Sequence, residues 1–187
     1  MALARLINPR AVMAAKSLRR TTMSQWYCRP ADYQSRQDCA AILALMDCYA
    51  ADPMGGGEPL AASVRQRLCA ALAAQPGALT ILAFEGELAI GLVNALQGFS
   101  TFKAQPLLNI HDVIVRPERR GRGVCVAMLA AVEELARGRG CCKLTLEVLE
   151  GNTAARRSYQ GFGFVDYQLR AEYGSARFME KPVEINP

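Results

Sequence analysis

Histidine is nearly absent from this chain: His111 is the only one in 187 residues. The seven cysteines, Cys28, Cys39, Cys48, Cys69, Cys125, Cys141 and Cys142, include no C-x-x-C pair. These two shortages remove the usual ligand spacings of a zinc site, so no metal is expected. Long apolar runs are missing too, which leaves neither a membrane span nor a secretory h-region. An odd cysteine count without a signal peptide points to reduced thiols that pack as small hydrophobes in a cytoplasmic protein. No internal repeat and no low-complexity tract interrupts the chain.

Acidic side chains are lacking from residues 1–22, which hold Arg5, Arg10, Lys16, Arg19 and Arg20. The formal charge of +5 resides there, because from Met23 onward 17 basic residues meet 17 acidic ones. The basic balance therefore argues for no nucleic-acid partner. Two readings of 1–22 stand side by side: an upstream extension with Met23 as the functional start, or an acid-free mitochondrial transit peptide. Either way it is set aside from the fold, and residues 23–187, about half apolar across the chain, suffice for one domain with a full core.

Periodicity supplies the elements. A short strand at Gln25–Arg29 ends at Pro30, which cannot donate to a ladder. Ile42, Leu45, Met46 and Tyr49 recur at i, i+3, i+4 and i+7 and mark a helix with one apolar stripe. Asp52-Pro-Met-Gly-Gly-Gly-Glu-Pro59 breaks it, and a second helix from about Pro59 would bury Val64, Leu68 and Leu72. Extended runs follow at Leu79–Glu85, Leu88–Ser100 and Leu107–Arg116, the first two forming a hairpin across Glu85-Gly-Glu87. A helix over about Gly123–Arg137 carries Cys125, Met128, Leu129, Val132, Leu135 and Ala136 on one face. Alternation from Cys142 to Val148 predicts a strand, then a helix from Asn152 to about Gln160. A terminal hairpin, Phe164–Leu169 with Ala176–Val183, completes the chain. The sum is an α/β (α+β) domain with a mixed central sheet of about six to seven strands flanked by helices.

Chemistry concentrates in two stretches. Arg119-Arg-Gly-Arg-Gly-Val124 lies between a strand and a helix, where unpaired N–H groups and the positive helix end converge on one point. Gly121 and Gly123 let the chain turn tightly and let a phosphate approach the backbone. A Walker A loop is ruled out by the missing Gly-Lys-Ser/Thr, and a dinucleotide fingerprint by Val126 where a glycine is required. In the second stretch Asn152 caps a helix and shares one face with Ala155 and Tyr159.

Arg120-Gly-Arg-Gly123-Val-Cys125, together with Asn152, Ala155, Tyr159 and Gly163-Phe164, resembles the GNAT superfamily of N-acetyltransferases from Trp26 to the C-terminus. Two departures are visible: Cys125 stands where the family has glycine or alanine, and Gly161-Phe162 replaces the usual polar and leucine pair. The resemblance implies transfer of acetyl from acetyl-coenzyme A to a primary amine of a small molecule or peptide. It implies that Arg120, Gly121, Arg122, Gly123, Val124 and Cys125 hold the pyrophosphate and that the main chain of Val113, Ile114 and Val115 pairs with the pantetheine arm. Asn152 and Ala155 belong to the same cofactor site. Tyr159 would be the general acid, since its reference pKa of about 10 lies near the about 8.5 of a thiol. His111, Asp112 or a water chain would act as base. Asp112 and Glu58 are the candidates for holding a cationic amine, the latter in a loop of the kind that carries specificity. Dimers are common among such proteins, so a homodimer is the expected assembly. The alternative is a non-catalytic acyl-coenzyme A sensor of the same fold.

Overall fold

The computed structural model describes residues 26–183, so the segment 1–22 lies outside the described residues. In chain order the elements are β1 (Trp26–Pro30), α1 (Arg36–Ala50), α2 (Ala62–Ala74), β2 (Leu79–Glu85), β3 (Leu88–Ser100), β4 (Gln105–Val115), α3 (Val124–Gly138), β5 (Leu144–Leu146) and α4 (Thr153–Phe162). One five-stranded sheet in the order β1-β2-β3-β4-β5 organises them. Neighbours run antiparallel except β4 and β5, which are parallel. The fold is the expected mixed α/β domain.

Alternation along the strands assigns each face its helices. Ile81, Ala83, Val93, Leu108 and Ile110 point to α3, where Met128, Leu129 and Val132 are fully buried. Leu82, Phe84, Leu92 and Ile114 point to the other side, against Ile42 and Leu45 of α1, with Leu68 and Leu72 of α2 beside them. Each of these large side chains contributes about 1.5–3 kcal/mol by leaving water.

α1 is set by its first turn. The Ser35 hydroxyl accepts from the Asp38 amide at 3.3 Å, and the Asp38 carboxylate suits the positive helix end. Asp38 is buried, takes a two-pronged bond from Arg29 at 2.6 and 2.7 Å, and accepts the Asp32 amide at 2.8 Å. The Arg29 hydrogen bonds, then that amide, hold its carboxyl below the usual carboxylate range. Such a group stabilises the fold above its ordinary pKa of about 4 and loses that contribution as pH falls through its lowered folded value. Asp38→Ala is therefore expected to cost about 2–3 kcal/mol at neutral pH, with the gap to wild type narrowing below about pH 4 in urea unfolding.

Four expectations are corrected. The sheet has five strands, because the Phe164–Leu169 and Ala176–Val183 hairpin does not form a ladder. The Ala176 amide still donates to the Tyr167 carbonyl at 2.9 Å, but β5 offers only three residues of edge, and Val165, Leu169 and Phe178 remain exposed. The strand expected over Cys142–Val148 shrinks to the same three residues. α2 begins at Ala62, not at Pro59, and Val64 faces solvent. Finally, not all thiols are reduced: Cys39 of α1 and Cys69 of α2 form a disulfide. Their sequence separation of 30 corresponds to about 3–4 kcal/mol of loop-closure stabilisation. Pairing of two helices in space brought these cysteines together, and spacing along the chain carries no trace of that.

Candidate functional site

A single extra residue opens the sheet. Asn94 pairs with Asp112 and the next residue, Ala95, pairs with Ile110, so His111 is left over as a β-bulge in β4. Ile110 therefore buries towards α3, while Ile114, which an unbroken alternation would put on the same face, buries towards α1. Past the bulge the partnership with β5 also ends, since only Leu108, Asn109 and Ile110 pair with it. Val113, Ile114 and Val115 line a cavity of about 460 Å³ instead.

The remaining walls come from three places. α4 contributes Asn152, Ala154, Ala155, Arg157 and Ser158; the turn before α3 contributes Arg119, Arg120, Gly121, Gly123, Val124 and Cys125; the end of α1 and its following loop contribute Tyr49, Asp52 and Met54. Asn152 has the predicted role, its Oδ1 accepting the Ala155 amide at 3.1 Å and starting α4. Gly123 precedes α3 with φ +82°, Gly121 has φ +74°, and no side chain caps the helix. No atom lies within 4 Å of where a Cβ would stand on either glycine. Open space, uncapped amides and three arginines along the wall suit a phosphate-bearing group, so the residues present fit a coenzyme A diphosphate.

Cys125 does not spoil that fit. It is half-buried against the α3 core, burial pushes its thiol up, and a hydrogen bond with Ser158 partly opposes the rise. The thiol is a small wall group rather than a nucleophile. Arg120 has a more particular geometry: Nε donates to the Val115 carbonyl at 3.1 Å, and the guanidinium bridges to Asp52 at 2.8 Å. The Arg120 hydrogen bond, followed by the Met54 amide, lowers the Asp52 pKa. The loop after α1 is thereby tied to the glycine turn. Gly55 is required in that loop, because a side chain there would collide with the Tyr49 carbonyl.

Tyr159 packs into the α3 core with its ring edge-on to Phe164 at 6.0 Å, and Phe162 of the unusual Gly161-Phe162 pair joins the same cluster. Burial above all, then the charges of Cys125 and Tyr49, raises the phenol's pKa, so it holds its proton well past neutrality. Its hydroxyl has no hydrogen-bond partner among the described residues, nor is it one of the sealed unpartnered polar atoms, which are Asp47 Oδ1 and Asn109 Oδ1. Tyr49 is the residue that sequence reasoning missed. Periodicity marked it as part of an apolar stripe, yet it lines the cavity, and burial, Asp112 and Asp52 raise its phenol. Asp112 accepts a hydrogen bond from Asn94 Nδ2 at 2.9 Å.

Not every expected residue converges. His111 is exposed on the bulge and does not line the cavity; Tyr159 and Asp112 lie beside the lining residues Ser158 and Val113 without lining it themselves; Glu58 is exposed in its loop, where Asp52 and Met54 reach the wall instead; Arg122 faces solvent while Arg119 and Arg157 flank the cavity.

Known proteins resemble this chain in sequence and in fold. Over 82 residues the chain is 32% identical to thialysine N-epsilon-acetyltransferase of Bos taurus, a match covering 44% of this chain and 48% of that protein. The chain spans about half the length of the curated relatives it matches. Among solved structures, a transcriptional regulator from Bacillus halodurans C-125 superposes with a TM-score of 0.69 at 18% identity, covering 84% of this chain and 99% of that one. An aminoglycoside acetyltransferase from an uncultured soil metagenomic sample, in complex with sisomicin, gives 0.69 at 12%, covering 84% and 97%. At such identities the likeness is one of fold. The acetyltransferase (GNAT) family matches residues 42–164, from the buried stripe of α1 through the glycine turn to the end of α4, and the chain belongs to that family.

Proposed function

We propose that the protein transfers an acetyl group from acetyl-coenzyme A to a primary amine of a small molecule or peptide. The observation that carries this reading is the cavity itself, in which the glycine turn, the freed strand of β4 and the α4 wall meet, with Tyr49 on the wall. Acetyl-coenzyme A supplies an activated thioester. Amides from Arg120 to Cys125 would hold its diphosphate, with Arg120 adding charge, while Val113, Ile114 and Val115 offer main-chain pairing to an extended chain. Asn152 and Ala155, joined by the bond that starts α4, belong to the same wall.

Asp112 is the favoured group for receiving the amine, as a fixed carboxylate whose charge reaches Tyr49 on the cavity wall. It holds the ammonium form and takes one proton from it through water, and the free amine so formed attacks the thioester carbonyl. His111, exposed on the bulge, is not assigned that work. Tyr159 donates a proton to the departing sulfur. A cytoplasmic location and a homodimer remain part of this reading.

Thiol release from acetyl-coenzyme A with purified protein, against pooled primary amines including thialysine and lysine peptides, is the test. Release with at least one pool is expected. Thermal stabilisation by the coenzyme without release from any pool would favour the sensor instead.

A further inference from the structure

Four polar side chains cross the α1-facing side of the sheet in one line. Thr80 of β2 lies directly opposite Asn94 of β3, and Asn94 directly opposite Asp112 of β4. Tyr33, just before α1, meets the outer end: its hydroxyl is 2.9 Å from Thr80 Oγ1. The Thr80 hydroxyl donates to Asn94 Oδ1 at 2.6 Å, and Asn94 Nδ2 donates to Asp112 Oδ2 at 2.9 Å. Thr80 and Asn94 are 1% and 6% exposed, in a layer otherwise built from Ile42, Leu45, Leu82, Leu92 and Ile114.

The protons in this line have one consistent arrangement. A carboxylate only accepts, so the Asn94 amide nitrogen must face Asp112 and its oxygen must face Thr80. Thr80 then spends its single proton on Asn94, which leaves its oxygen to accept from Tyr33. Every donor points inward, and the dipoles reinforce one another toward Asp112. Asp112 Oδ1 takes no hydrogen bond among the described residues, so the line fixes one carboxylate oxygen and presents the other.

Stability does not explain the line. An apolar row of similar volume would fill the same layer at no net cost, because buried hydrogen bonds barely repay the desolvation of their partners. We propose that Asn94 and Thr80, headed by Tyr33, are positioning residues that hold the Asp112 carboxylate in the orientation that receives the amine. This rests on the reading that Asp112 serves the amine.

Steady-state kinetics on the full chain test it, with thialysine and a lysine peptide as acceptors. Thr80→Val keeps the shape and removes the donor. It should raise the KM for the amine about five- to tenfold, with the KM for acetyl-coenzyme A unchanged, and lower the melting temperature by a few degrees because Asn94 Oδ1 loses its donor. Thr80→Ser, which restores the hydroxyl, should recover most of the loss. In an Asp112→Asn background the Thr80→Val effect should vanish, because the line then has no carboxylate to aim. Unchanged amine KM in Thr80→Val, no rescue by serine, or an undiminished effect in the double variant would each overturn the assignment. No thiol release by the wild-type chain with either acceptor would overturn the amine reading and this assignment with it. A working wild type beside an unaffected Thr80→Val removes this assignment alone.

Discussion

Tyr159→Phe is expected to lower turnover about a hundredfold while leaving coenzyme A affinity within about twofold, measured by thiol release and by calorimetry with coenzyme A. The phenylalanine ring keeps every apolar contact with Phe164 and the α3 core, so folding is not at issue. Only the hydroxyl is removed, and no described residue depends on it for a hydrogen bond. What is lost is a buried proton donor. Burial raises the phenol's pKa, which makes donation harder than reference values imply and also keeps the group loaded. Wild-type activity should therefore show no loss through Tyr159 below the ordinary tyrosine value of about 10. Equal turnover in the two proteins would take Tyr159 out of the reaction.

Gly123→Val should weaken coenzyme A binding by about 30-fold or more, the second large effect expected. At φ +82° a β-branched residue is strained by about 1–2 kcal/mol or more, and the turn answers by shifting. Since no atom lies within 4 Å of the added Cβ, the core is undisturbed, and the new methyl groups occupy the open space a phosphate needs. Gly86 supplies the control. It turns between β2 and β3 with φ +60° and is equally open, but it lies away from the cavity. Gly86→Val should lose similar stability and bind coenzyme A normally. Parallel losses of binding in both variants would mean that strain alone, and not obstruction, sets the effect.

The sequence made legible whatever depends on neighbours along the chain. α3 appears through the spacing of Met128, Leu129, Val132 and Ala136, all of which are buried. Asn152 announces its helix because capping is a three-residue affair, and the glycine turn is legible because positive φ has few takers. What depends on register was hidden. Thr80, Asn94 and Asp112 are unremarkable polar residues in three strands until pairing aligns them. Tyr49 fits an apolar stripe and a cavity wall equally well, and it packs on the α1 side of the core while lining the cavity. The terminal segment has strand-forming residues without a sheet edge long enough to pair with, and composition is silent on that.

The bulge at His111 shapes the site without lending it a side chain. Its imidazole touches nothing the reaction uses, so His111→Ala should leave turnover within about twofold. Deleting the residue would make Ile110 and Asp112 neighbours, and regular alternation would then keep the faces seen here, with Ile110 towards α3 and Asp112 and Ile114 towards α1. The contribution of this position is a bend rather than a chemistry: a chain one residue shorter here would keep every functional side chain on its face and lose the kink at the point where β4 parts from β5.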